Sequence, residues 1–297
     1  MRECRRLALV TLGAALVAGA ARAQEVQGPE VVRIGLVNSL FRDQPEALVM
    51  ALMKPFSAMV ESQTGLKGEL VTGGGATKLG KLLATNKIQL AVFHGVEFAW
   101  ARQLHPALRP LVIAVNQDPH LRALLVARRD SPAKGWKDLK HGILALPAGS
   151  RDHCYMFLDH GCQATGLTAS KLFARTTTPP NSEEALDDVV DREADAVVVD
   201  GLAYDNFQRR KPGRAGELKV LARSPIFPAA VVAYQPGALS QQQLEQFRDG
   251  MLAANRTSLG RQLMTLWKLT GFAPVPADYD ETLTNILKAY PRPAGAK

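Results

Sequence analysis

The stretch NSEEALDDVVDREADAVVVDG (181–201) contains a complete helix–strand unit. Asn181 and Ser182 are residue types that cap helix N-termini, and the EEALDDVVDRE that follows predicts a helix. The next residues, ADAVVVDG, form a short apolar run rich in valine, which indicates a buried strand ending at Asp200. A helix that leads directly into a buried strand is the repeating unit of α/β folds.

The same alternation continues on both sides of this stretch. Apolar or β-branched runs such as EVVRIGLV (30–37), IQLAVFHG (88–95) and GILALPAGS (142–150) alternate with patterns typical of helices. Strands separated by helices of about 10–15 residues predict mostly parallel sheets with flanking helices. The units fall into two similar halves near residue 125. We therefore predict an α/β fold of two lobes, with a ligand cleft between the lobes.

The first 23 residues have the features of a secretory signal peptide. MRECRR is cationic, and the 15 apolar residues after it are fewer than the roughly 20 that span a bilayer. The ARA before Gln24 fits a cleavage site. We therefore predict export to the periplasm, with a retained membrane anchor as the alternative. The predicted lobes are then 24–125 plus 228–297 for lobe 1 and 126–227 for lobe 2.

Charge limits the classes of function. The formal net charge is +8, but residues 1–23 carry four arginines and one glutamate, which leaves about +5 for the exported chain. A modest and dispersed positive charge favours a small anionic ligand. The sequence contains no Lys/Arg block interleaved with aromatic residues of the kind that nucleic-acid binders use. We also expect a monomer that carries no cofactor.

Several stretches together are similar to one known family. They are the IG strand (34–35), LAVFHGVEFAWA (90–101), LRALLVARRDSPAKGWKDLKHGILAL (121–146), PAGSRDH (147–153) and the stretch at 181–201. This layout resembles the phosphate, phosphite and phosphonate substrate-binding proteins of ABC transporters, which have the type II periplasmic-binding-protein fold. The resemblance implies a two-lobed protein that closes on a small oxyanion and delivers it to a membrane permease.

The resemblance also implies ligand positions, and this sequence places its own residues there. Phe98 stands near the position where the family usually has a tyrosine. The turn that opens a ligand-binding helix reads Ser150-Arg151-Asp152-His153 instead of a hydroxyl-rich sequence. Glu183 stands where the family usually has a histidine, whereas Asp200 keeps the family's aspartate at the end of the VVVD strand.

The start of that helix is also an anion site on physical grounds. The pattern at 151–166 predicts a helix that begins near Ser150 and is closed by Gly166. Its first N–H groups lack partners within the helix and carry the positive end of the macrodipole. Ser150 is the predicted N-cap, Arg151 adds a bidentate fork, and His153 adds a further donor. The alternative is an ordinary cap beside a solvated arginine.

Further ligand candidates follow the predicted strands, because open α/β sheets bind ligands at the carboxyl ends of their strands. The candidates chosen for this position are Asn38, Ser39, Arg42, His94, Asp200 and Tyr204. The alternative for each of them is a turn-forming or structural side chain.

Metal and disulfide sites are not favoured by the spacing of the histidines and cysteines. His153 and His160 are seven residues apart, about 10 Å along a helix, which is too far to share one ion. Cys154 and Cys162 are eight residues apart, about 12 Å, which is too far for a disulfide. We therefore predict no metal and two buried cysteines.

Because we find no nucleophile–base motif, we expect no enzyme. A ligand sensor for a membrane receptor, or an exported enzyme or metal carrier, stays open as an alternative.

Overall fold

The computed structural model describes residues 29–41, 46–117, 120–267 and 269–293. The predicted signal peptide and the ligand candidate Arg42 lie outside the described residues. None of the helices in these segments combines the length and the apolar character that crossing a membrane requires.

Strands and helices alternate along the described chain. In chain order, the strands are β1 (Val31–Val37), β2 (Lys67–Gly74), β3 (Leu90–Phe93), β4 (Arg109–Val115), β5 (His120–Leu121), β6 (Ala123–Arg128), β7 (Ile143–Ala145), β8 (Arg175–Thr177), β9 (Ala196–Asp200), β10 (Leu218–Arg223), β11 (Phe227–Pro228), β12 (Ala230–Tyr234) and β13 (Gly271–Ala273). The helices are α1 (Glu46–Thr64), α2 (Ala76–Ala84), α3 (Gly95–Leu104), α4 (Asp152–Gln163), α5 (Ala169–Leu172), α6 (Ser182–Val190), α7 (Gly201–Arg210), α8 (Pro212–Ala215), α9 (Gln241–Ala253), α10 (Ser258–Leu266) and α11 (Tyr279–Ala289).

The longer strands form two separate sheets, which confirms the predicted two-lobed α/β architecture. The first sheet has the order β13–β4–β12–β3–β1–β2 and the second has the order β10–β6–β9–β7–β8. Both sheets are mixed, which corrects the prediction of mostly parallel sheets. β1 pairs parallel with β2 and β3, and β7 pairs parallel with β8 and β9. β12 and β6 pair antiparallel with their neighbours, because each enters its sheet from a direct connection between the sheets and not from a helical crossover.

The valine-rich strand at 196–200 is buried as predicted. The second sheet has a core on each of its two faces, because side chains alternate along its strands. In β6, Leu124 and Val126 pack on one face with α6 and α7, whereas Leu125 and Ala127 pack on the other face with α4. Successive side chains of a strand point to opposite faces, so a strand covered by helices on both sides is apolar throughout.

The first sheet is covered in the same way. Side chains of α2, α3 and α11 pack on one face, and side chains of α1, α9 and α10 pack on the other. The helices α1, α9 and α10 are called here the second helix layer.

The chain passes between the two sheets at a short ladder. β5 pairs antiparallel with β11, with Leu121 opposite Phe227 and His120 opposite Pro228. β6 already begins at Ala123 and pairs only with strands of the second sheet. The lobe boundaries at 125 and 228 stay a prediction, and the ladder of β5 with β11 is where we propose that the lobes meet.

Both cysteines after the predicted cleavage site are free and buried beneath α4, as expected from the sequence. Cys154 is 1% exposed and Cys162 is 0% exposed, and both belong to the core that faces β6 and β9. Burial raises the pKa of the Cys154 thiol strongly and raises that of Cys162 to about 11. Both side chains therefore act as small apolar groups.

We expect neither thiol to react with iodoacetamide at neutral pH until the protein unfolds, because the thiolate is the reactive species and burial suppresses it. Mass spectrometry of the two cysteine peptides, after labelling with and without urea, measures this. Rapid labelling of either peptide in the native protein would contradict the burial described above.

Candidate functional site

A cavity of about 530 Å³ lies where the first sheet, the start of α4 and the β5–β11 ladder meet. Its polar lining comes from both sides. Ser39 and His94 belong to connections of the first sheet, and Ser150, Arg151, Asp152 and His153 belong to the connection from β7 into α4. The structure thus brings together six of the residues chosen from the sequence.

One wall begins directly after β1. Ser39 lies in a short 3-10 helix (Asn38–Phe41), and its hydroxyl donates to Glu97 Oε2 at 2.5 Å. Glu97 lies in the first turn of α3 and is 9% exposed. Burial raises the pKa of Glu97, although His94 and the Ser39 hydroxyl favour its charged form. The negative charge of Asp152, from the opposite wall, raises this pKa further.

His94 is the other polar residue of this wall. It ends β3 and is the N-cap residue of α3, with extended backbone and without a side-chain capping bond. Its Nε2 atom is buried and has no hydrogen-bond partner. A buried polar atom without a partner costs free energy, and a ligand atom that satisfies it would recover that cost.

The opposite wall is the start of α4, and here the structure corrects the sequence. The helix begins at Asp152 with Arg151 as the N-cap residue, and no side chain caps it. Ser150 is not the cap, because the turn before the helix folds back and the Ser150 hydroxyl donates to the Pro147 carbonyl at 2.7 Å. The Arg151 side chain makes no capping bond, and the Cys154 N–H donates to the Arg151 carbonyl at 2.9 Å. The anion site at the start of this helix stays a prediction.

The end of α4 also differs from the prediction. The helix ends at Gln163 with Ala164 as its C-cap, before Gly166. Gly161 lies inside the helix, where a Cβ atom would be 2.1 Å from the Trp136 ring. The glycine therefore allows the helix to pack closely on that tryptophan.

His153 is held by an aspartate at the end of β9. Its Nε2 lies 3.1 Å from Asp200 Oδ2, and the His153 side chain is only 4% exposed. Its ring packs against Phe227 of β11, with 5.6 Å between centroids. Asp200 also accepts from the Leu202 N–H at 2.9 Å and thereby caps α7. The pair of His153 and Asp200 fixes the first turn of α4 against the second sheet.

Other sequence candidates are placed elsewhere. Glu183 forms ion pairs with Arg210 and, at 2.9 Å, with Lys211. Tyr204 packs in the core of the second sheet beside α6. Neither side chain lies among those that line the cavity.

Two candidates near the first wall also face away from the cavity. Phe98 is fully buried and packs against Phe93 at 5.9 Å between ring centroids. The Asn38 side chain accepts from the Gly74 N–H at 3.2 Å, which ties the end of β1 to the end of β2. Neither residue lines the cavity. Asn38 and Tyr204 were chosen by their place after a strand, and Glu183 and Phe98 by the resemblance. Neither criterion carries information about the direction of a side chain.

Most of the remaining lining is apolar, and sequence reasoning missed it. It includes Ile34, Leu36, Phe56, Val232, Phe247 and Met251, which belong to the core beneath α1 and α9. Their period-2 and helical spacings predict burial, but nothing in the spacing indicates open space beside them.

The described residues contain no group of three or more His, Cys, Asp or Glu side chains that could hold a metal ion.

The comparisons with known proteins agree with this architecture. The family model described as the periplasmic substrate-binding protein of phosphonate ABC transporters matches residues 40–279. Among curated proteins, none matches the sequence.

Three solved structures share the fold at low sequence identity. A Xanthomonas citri protein bound to chloride is 16% identical with a TM-score of 0.56, and the match covers 88% of this chain and 97% of that one. PhnD1 of Prochlorococcus marinus, in complex with methylphosphonate, is 15% identical with a TM-score of 0.54 and the same coverages. A binding component of a Pseudomonas aeruginosa ABC phosphonate transporter is 17% identical with a TM-score of 0.51, covering 89% and 85%.

The family model covers most of the chain, and these structures share the fold. The resemblance seen in the sequence is therefore confirmed, and the chain belongs to the family of periplasmic substrate-binding proteins of phosphonate ABC transporters.

Proposed function

We propose that the chain binds a small phosphonate-like oxyanion in the cavity between the two sheets and delivers it to an ABC permease. Residues 1–23 act as a cleavable signal peptide in this proposal. The observation that carries it is the convergence of the α4 N-terminus and Arg151 with Ser39 and His94 across one cavity. Membership in a family of transport proteins supports a binding role over a catalytic one.

The cavity contains several groups that suit an oxyanion. The first N–H groups of α4 carry the positive end of the helix dipole, and Arg151 brings a full positive charge beside them. His94 Nε2, which has no hydrogen-bond partner, supplies a position that a ligand oxygen can satisfy when the ring carries a proton there. Hydrogen bonds from charged donors to an oxyanion are roughly twice as strong as neutral ones.

The carboxylates of Asp152, Asp200 and Glu97 lie at or near the same cavity. Asp200 is paired with His153. The raised pKa of Glu97 reduces the cost of an anion nearby, because a protonated Glu97 can donate to Ser39 and free the Ser39 hydroxyl to donate to the ligand. Asp152 is the first residue of α4, and its carboxylate would favour a ligand that carries a donor beside its oxyanion.

Closure of the two lobes supplies the transport signal in this proposal. Ser39 and His94 are on one side of the cavity, and Arg151 and His153 are on the other. A ligand that contacts both sides stabilises the closed state by the contacts that exist only there. A permease can then distinguish the loaded protein from the empty one.

We expect the substitution Arg151→Ala to weaken methylphosphonate binding about tenfold, because a charge-assisted hydrogen bond is lost. Arg151→Lys should weaken it less, since the charge remains but the bidentate fork is lost. Isothermal titration calorimetry measures both.

Arg248→Ala is the matched control, because Arg248 is exposed on α9 and pairs only locally with Asp249. Unchanged affinity in Arg151→Ala would remove this residue from the site. If phosphonates, phosphate, phosphite, sulfonates and carboxylates all fail to raise the melting temperature of the wild-type protein, the oxyanion proposal is wrong.

A further inference from the structure

We propose that the ligand of this protein is an amphiphile, in which an oxyanion head carries an unbranched apolar chain. The head lies at the polar wall, and the chain enters an apolar chamber beneath the first sheet. This inference rests on the proposed function for the head group and goes beyond it for the rest of the ligand.

The cavity has two chemically different ends. The polar end is the set of residues described above around Ser39 and Arg151. The apolar end, here called the apolar chamber, is lined by Ile34 and Val232 of the first sheet, Phe56 of α1, and Phe247 and Met251 of α9. These residues belong to the core between the sheet and its second helix layer.

The two ends form one continuous space. Leu36 lies near the end of β1, two residues before the 3-10 helix that carries Ser39, and both Leu36 and Ser39 line the same cavity. Leu40 and Phe41 also line it and pack against the core of the apolar chamber. A ligand bound by Ser39 and His94 therefore has an apolar passage directly beside its head.

Small side chains leave room at the wall of the apolar chamber. Ala114 of β4 and Ala230 of β12 are direct register partners, and both line the cavity. Larger residues surround them, among them Trp267 and Phe272. Two alanines side by side among large residues produce a concave surface, whereas a packed core would fill that space.

The size and the apolar lining of this space argue for an apolar occupant. The whole cavity of about 530 Å³ is in the range of sites that hold drug-sized ligands, and a water molecule needs only about 30 Å³. A cavity lined by Leu, Ile and Phe stays dry, and leaving it empty is destabilising. An apolar chain that fills the space removes this penalty. A single methyl group fills only a small part of the space and removes only a small part of the penalty.

Titration calorimetry with methyl-, butyl- and hexylphosphonate tests the inference. Burying one methylene is worth about 0.8 kcal/mol, so we expect the affinity to rise about fourfold for each added methylene. Equal or weaker binding of hexylphosphonate relative to methylphosphonate would overturn the apolar chamber as a ligand site and leave the proposed function intact.

Two filling variants localise the effect. Ala114→Phe should lower the affinity for hexylphosphonate far more than the affinity for methylphosphonate, because the ring takes the place of the chain. Ala230→Leu is a milder version in case the first variant does not fold. Ala164→Phe is the matched control, since Ala164 is exposed at the end of α4. Equal losses for both ligands in the filling variants would contradict the inference.

Hexanol separates the two proposals. Binding of hexylphosphonate without binding of hexanol supports both the head site and the apolar chamber. Equal binding of the two supports the apolar chamber but overturns the oxyanion head. Failure of every phosphonate and of hexanol overturns both proposals.

Discussion

Replacing Gly95 with alanine should lower the free energy of unfolding by about 3 kcal/mol and weaken ligand binding. Gly95 is the first residue of α3, next to His94, and it lines the cavity. A Cβ atom there would lie 2.2 Å from the Pro228 carbonyl oxygen and 2.7 Å from that of Ala229. Both contacts are with backbone, so no side chain can move aside to relieve them.

The methyl group must therefore separate α3 from the segment that enters β12 from the second sheet. This movement displaces His94 and the polar wall. Urea unfolding followed by circular dichroism measures the stability, and calorimetry measures binding. Gly213→Ala is the matched control, because Gly213 is an exposed helical glycine with no atom within 4 Å of its added Cβ. A Gly95→Ala variant within about 0.5 kcal/mol of wild type would contradict this close contact.

Replacing Asp200 with alanine should cost about 3 kcal/mol of stability and weaken ligand binding. The substitution removes the contact of Asp200 Oδ2 with His153 Nε2 and the cap of α7 at once. His153 then loses the group that fixes its ring at the cavity. Asp200→Asn separates the two effects, because the amide oxygen still accepts from the Leu202 N–H. We expect the asparagine variant to recover about 1 kcal/mol of stability but little of the ligand affinity.

The same aspartate should make stability depend on acid pH. Burial by itself would raise the pKa of Asp200, but the hydrogen bond with His153 and the charge of Arg151 outweigh it, so the pKa lies below its ordinary value of 3.8. A group with a lower pKa in the folded state stabilises the fold above the ordinary value, and the contribution is lost as the pH falls through the folded-state pKa. Wild type should therefore lose stability more steeply than Asp200→Asn in acid. Parallel curves for the two proteins would contradict the pairing.

The sequence predicts the elements of the fold because each has a local signal. The buried strand at 196–200 and the helix before it, with Asn181 as its cap, are where the pattern places them. The directions of the strands were not predictable in the same way. β12 runs antiparallel to both of its neighbours because the chain returns to the first sheet through the β5–β11 ladder, a contact between residues more than 100 positions apart.

The candidate site was predictable only where its binding groups belong to the backbone, as the N–H groups at the start of a helix do. The start of α4 with Arg151 follows from the pattern of one helix. Glu183 was chosen from the resemblance, because it stands where the family usually has a histidine, but its charge is paired with Arg210 at the end of α7 and with Lys211 after it. A long charged side chain takes the partner that tertiary structure places nearest, and spacing along the chain cannot identify that partner.

The sequence by itself determined the fold class, the export signal as a prediction, the family by its resemblance, and the start of α4 as a candidate anion site. The fold class, the export signal and the start of α4 follow from periodicity and composition, which are local properties of the chain, whereas the family follows from the resemblance of several stretches to known proteins. Only the tertiary structure decided that His153 pairs with Asp200 and that Phe98 packs inward. It also decided that Ala114 and Ala230 lie side by side on neighbouring strands of the first sheet, at the wall of the apolar chamber. Periodicity specifies which face of an element is buried, whereas the space left between buried faces depends on how distant elements pack together.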